Sequence, residues 1–203
     1  MKKRLFSFIM AVVFCCGFSL PAYATETSNN AVETRYVTSD GVLVRFFGDS
    51  PVKITEQNDF LIINGKVVAS LTDEPITRGS TIPTRVHDLG NGSFNQSGTI
   101  NLGGYTYSDR LFYTTAENNY EAVVSGSASC GNGERGEMYT FFISVYDHMH
   151  DRVEMTGYQG DVSLLGRVTW DIDGNTMPVS DGVCYFRYDP VAPSTVSYDI
   201  TVS

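Results

Sequence analysis

The sequence predicts an all-β protein: an antiparallel β-sandwich over residues 96–203, preceded by a smaller β-hairpin region over 33–90. Two observations carry this. No stretch keeps the apolar period of an amphipathic helix, while several alternate strictly: Tyr139, Phe141, Ile143 and Val145, then Val196, Tyr198, Ile200 and Val202. The apolar runs are also short, and Gly, Asn and Asp punctuate them at turn spacing.

In chain order, residues 1–24 have the parts of a secretory signal peptide. Lys2, Lys3 and Arg4 form a basic start, Leu5 to Gly17 an apolar run, and Ala22-Tyr23-Ala24 a small-x-small cleavage site after Pro21. The apolar run is too short for a spanning helix. Phe14 before Cys15 stands where a lipoprotein signal carries a small residue. Residues 25–32 read as a flexible leader. Ser39-Asp40-Gly41 joins two β-prone runs as one hairpin, and Asn64-Gly65 joins Phe60–Ile63 to Lys66–Val68 as a second, of the type I′ kind. Gly41, Val44, Asp49 and Pro51 recur as Gly65, Val68, Asp73 and Pro75, a faint echo of one strand-turn unit. His87 to Ser97, rich in Gly, Asn and Ser, reads as a connection. Strands around Tyr120–Val124, Met138–Tyr146, Gly166–Trp170, Cys184–Tyr188 and Val196–Val202 complete the sandwich. Whether the two regions form one domain or two is left open.

Cleavage after Ala24 removes three basic residues and no acids. It takes 14 Lys and Arg to 11 against 23 Asp and Glu, so a net charge of -9 becomes -12. Such a surface repels phosphate backbones and anionic headgroups, which argues against nucleic acid and, after signal cleavage, against a membrane. It suits an extracellular ligand, a glycan or a protein. Two cysteines then remain, Cys130 and Cys184; an even count in an exported chain predicts one disulfide.

The strand Phe141–Asp147, the Trp170 strand, Gly182–Arg187 and the closing Ser197–Val202 follow one another in an order that resembles secreted bacterial accessory β-sandwiches, the pre-peptidase C-terminal-like and carbohydrate-binding modules. The resemblance spans residues 96–203 and implies a shared architecture, not a function.

Three constellations bear on chemistry. Asp147-His148-Met149-His150-Asp151 would place His148 and His150 on one face if extended, as two ligands of a divalent ion; a polar hairpin tip is the competing reading. Asp171-Ile172-Asp173-Gly174-Asn175 resembles the start of a calcium loop, with Asp161 and Asp181 as candidate further ligands, but its glycine falls at position four and position twelve is Gly182 rather than Glu; an ordinary turn is the competing reading. Tyr105, Tyr107 and Trp170 are candidate platforms for sugar rings, with Tyr113 and Tyr158 as further aromatics. No G-x-S-x-G elbow is present, and no pair of acids is singled out for glycoside hydrolysis. The sequence therefore predicts a secreted, non-catalytic protein acting by binding or as an extracellular structural component. A carbohydrate-binding module and a small hydrolase are the alternatives.

Overall fold

The computed structural model describes residues 31–71, 81–115, 120–178 and 182–203. The expected signal peptide, most of the expected leader, and Asp73, Pro75 and Asp181 lie outside the described residues. The fold is all-β. Among the described residues no helix is long and apolar enough to cross a membrane.

Strand formation begins with the two predicted hairpins. β1 (Val32–Val37) turns through Gly41, at φ 92°, into β2 (Leu43–Gly48), and the two pair antiparallel. β3 (Ile54–Gln57), β4 (Phe60–Ile63) and β5 (Lys66–Ser70) form a meander whose second turn is Asn64-Gly65. Both turn residues hold positive φ, 51° and 82°, as type I′ geometry requires. β6 (Val86–Asp88) and a one-turn 3-10 helix (Leu89–Asn91) lead to β7 (Phe94–Ile100). β8 (Thr106–Tyr107), β9 (Leu111–Tyr113), β10 (Glu121–Cys130), β11 (Thr140–Asp147), β12 (Arg152–Gln159), β13 (Asp161–Val162), β14 (Val168–Pro178), β15 (Val183–Val191) and β16 (Val196–Val202) follow.

These strands make three sheets. The main one has eight strands, ordered β1-β2-β12-β11-β15-β9-β6, with β8 also on β15. The second is β13-β14-β10-β16-β7, and the third is β3-β4-β5. Main and second sheets enclose the larger core. There Trp170 meets Phe141 at 5.9 Å between ring centroids, and Tyr188 meets Tyr198 at 5.5 Å. The opposite face of the main sheet is partly covered by the third: Val44, Phe46, Phe142 and Met155 pack on Ile54, Leu61, Ile63 and Val68. β11 is therefore buried on both faces, which explains why apolar side chains stand on both sides of it.

The hairpin region is part of this architecture. β2 pairs parallel with β12, and residues 31–203 form one compact unit. Two segments expected as connections are strands. Asp171–Asn175 lies within β14: Asp171, Ile172 and Asn175 pair with the ten-residue β10, and Asp173-Gly174 falls at a register shift between them. Phe94–Ser97 lies within β7, which alternates Phe94, Gln96, Gly98 and Ile100 against β16 despite its weak β-formers.

Candidate binding cleft

The expected disulfide is absent. Both thiols are free and buried. Cys130 ends β10 opposite Val168, at the level where β15 passes into β16. Cys184 begins β15 opposite Phe112 and Asp147. Some six residues of strand separate those levels, roughly 20 Å at the usual rise, far beyond the reach of a bridge. Desolvation pushes both thiols up, Cys184 the more strongly, so each is held as an inert SH.

The histidines sit at the β11–β12 turn. Asp147 Oδ1 accepts the backbone N–H of Met149 and of Asp151, both at 2.9 Å, and His150 takes φ 70°. The extended alternation that would align His148 with His150 is thus not formed. His150 Nδ1 is 3.1 Å from the Tyr185 hydroxyl. Asp171 and Asp173 are exposed on β14. Asp161 is raised by burial and then by Asp49 and Asp171. Among the described residues no three His, Cys, Asp or Glu side chains gather as a metal cage would need. Trp170 is fully buried, so it packs the core rather than offering a platform. Tyr158 is buried too, its hydroxyl pushed up to about 12 by desolvation while accepting from Asn175 at 2.7 Å. Tyr113 is exposed on β9.

Tyr105 and Tyr107 do come together, with residues the sequence reading missed. Residues 184, 186 and 188 of β15 face the large core, so 185, 187 and 189 face the other way. On that outward face Tyr146 and Tyr185 stack at 5.2 Å and 13°, and Tyr107 meets them edge-on at 6.4 and 5.6 Å. Tyr105 stands edge-on to Tyr107 at 5.7 Å, and the Arg187 guanidinium lies 4.3 Å from its ring centre. Arg152 Nη2 donates to the Tyr146 hydroxyl at 2.7 Å, and Arg187 Nε donates to Asp189 at 2.9 Å. Burial works against the Arg187 charge, yet Asp189 more than offsets it and its pKa is raised. The hydroxyls of Tyr105 and Ser144 are buried without hydrogen-bond partners, an unusual outlay of roughly 1–3 kcal/mol each.

A cavity opens on either side of this cluster. One, of about 290 Å³, lies between Tyr105, Arg187, Asp189 and the Leu102–Gly104 turn. The other, of about 400 Å³, lies between residues 81–85 and 106–110. Its lining residues include Thr81, Thr84, Thr106, Ser108, Tyr107, and Arg85 and Arg110 beside Asp109. Arg110 is steadied over Phe94 at 5.4 Å. Such a wall offers paired donors and acceptors with one aromatic surface. It can bind a hydroxyl-bearing ligand but holds no evident nucleophile–base pair. No protein-family model matches the chain, and no curated protein matches it.

Proposed function

We propose that this is an exported, non-catalytic binding protein whose ligand is a glycan seated in the cleft between residues 81–85 and 106–110. The carrying observation is the cleft itself. At about 400 Å³ it falls within the size range of small-ligand sites, and hydroxyl-bearing, guanidinium-bearing and aromatic residues all line it. Tyr107 is braced by Tyr105 and Tyr185, so its ring is pre-positioned rather than ordered on binding. Export rests on the basic start, apolar run and Ala22-Tyr23-Ala24 of the sequence.

The test takes the chain from the growth medium, where its first residue should be Thr25, to a glycan array. Hits are then titrated by calorimetry against Tyr107→Ala and Arg110→Ala. Each variant should weaken binding by about tenfold or more, equivalent to the loss of one stacking or charge-assisted contact. A protein that binds no glycan, or binds it equally well with both substitutions, would overturn this reading.

A further inference from the structure

The outer edges of the three sheets are not equivalent. Most carry a device that discourages pairing with another chain. β13 has two residues and β6 three. β1 carries Glu33 and Arg35, β3 carries Glu56, and β5 begins at Lys66. β7 carries none of these. It is seven residues long, uncharged, free of proline, and pairs with β16 through seven consecutive partners without a register shift. It ends the second sheet, and among the described residues no backbone hydrogen bond reaches its far side.

Its residue pattern is also self-complementary. Run antiparallel against itself about Ser97, β7 sets Phe94 opposite Ile100 and Gln96 opposite Gly98 on the core-facing side. Asn95 lies opposite Thr99, and Ser97 opposite Ser97, on the exposed side. Apolar meets apolar, hydroxyl or amide meets hydroxyl, and the bulkiest polar side chain meets the residue without one. A copy of a chain with net charge -9 is repelled on approach, so a neutral edge is where that repulsion is least.

We propose that β7 is a self-association edge: a second copy adds its own β7 antiparallel across a two-fold axis at Ser97, extending the five-stranded sheet into a ten-stranded one. Ser97 is exposed, and among the described residues its side chain makes no hydrogen bond that a substitution would break. Sedimentation velocity on the secreted chain at high micromolar concentration should show a dimer. Ser97→Lys and Ser97→Glu should each raise the dissociation constant by about tenfold or more, because like charges then face each other. Circular dichroism melts should stay at the wild-type midpoint, separating this from misfolding. An equimolar mixture of the two variants should recover a heterodimer. A monomeric wild type, a dimer indifferent to Ser97→Lys, or a mixture that stays monomeric would overturn the proposal.

Discussion

At the scale of single residues, the polar groups on the inward face of the sheet edge show how charge is managed. Glu154 is 2% exposed, and its carboxyl is raised above its ordinary value by desolvation, which Arg45 only partly offsets. Arg45 reaches Glu154 at 3.4 Å and Glu33 at 2.7 Å, and it lies over Phe47. Arg45→Met keeps the stem over the ring and removes the charge, leaving Glu154 buried and unpaired. The expected loss is about 3 kcal/mol at pH 7. The sign with pH follows from linkage. A carboxyl whose folded pKa is raised stabilises least once pH climbs through that value, and losing Arg45 raises it further. Glu33, held low first by Arg35 and then by Arg45, gives up stability in the same high-pH range when Arg45 is gone. Urea melts should therefore show the variant's deficit shrinking from pH 7 towards pH 4; a constant deficit would refute the pairing. The cysteines give a second test. Denatured without reductant, the chain from Thr25 should take two thiol labels, and reductant should leave the melting temperature unchanged. No labelling before reduction would restore the bridge. The cysteine expectation came from count and compartment, which say nothing of where two side chains end. Tyr105 and Tyr107 were legible as neighbours in sequence, but Arg187 and Tyr146 were not. On an outward-facing strand position they read as ordinary solvated residues.

Among the elements, those specified by short-range chemistry were readable, and those specified by partners were not. Asn64-Gly65 announces its hairpin because few residue pairs accept positive φ twice in succession. The parallel pairing of β2 with β12 joins segments more than a hundred positions apart, and no local pattern encodes it. β14 is the sharper case: Asp173-Gly174 has turn chemistry and sits at a bulge, and pairing with the long β10 on both sides of it keeps the segment in the strand. The pairing shifts there, β14 carrying one residue more than β10 between the pairs Val124–Asn175 and Gly126–Ile172. Gly126 holds φ 143°, and a Cβ there would lie 2.2 Å from the Asp199 carbonyl oxygen. Gly65, at φ 82°, has open space around it. Gly65→Ala should thus cost about 1 kcal/mol of backbone strain, whereas Gly126→Ala adds a backbone clash and should cost about 3 kcal/mol or more. Equal losses in urea denaturation would mean that the close approach to β16 does not set the cost of a side chain at Gly126.

For the whole molecule, the question is whether three layers behave as one. The main sheet is shared: Phe141, Ile143 and Val145 project into the large core, and Phe142 projects from the same strand into the small one. Removing either outer layer exposes a face of β11 that is buried throughout. Each large side chain so exposed forfeits about 1.5–3 kcal/mol, and a few of them equal the net stability of an ordinary domain. The layers should therefore unfold together. The chain has one tryptophan, Trp170, fully buried between the main and second sheets, so its fluorescence reports the large core alone. Far-ultraviolet circular dichroism reports all three sheets. Thermal and urea transitions followed by the two signals should coincide, with one midpoint and one slope. A dichroism change preceding the tryptophan shift would show the β3-β4-β5 layer melting first. In that case Val44, Phe46 and Phe142 would gain too little from Leu61 and Ile63 to bind the third sheet to the cooperative unit.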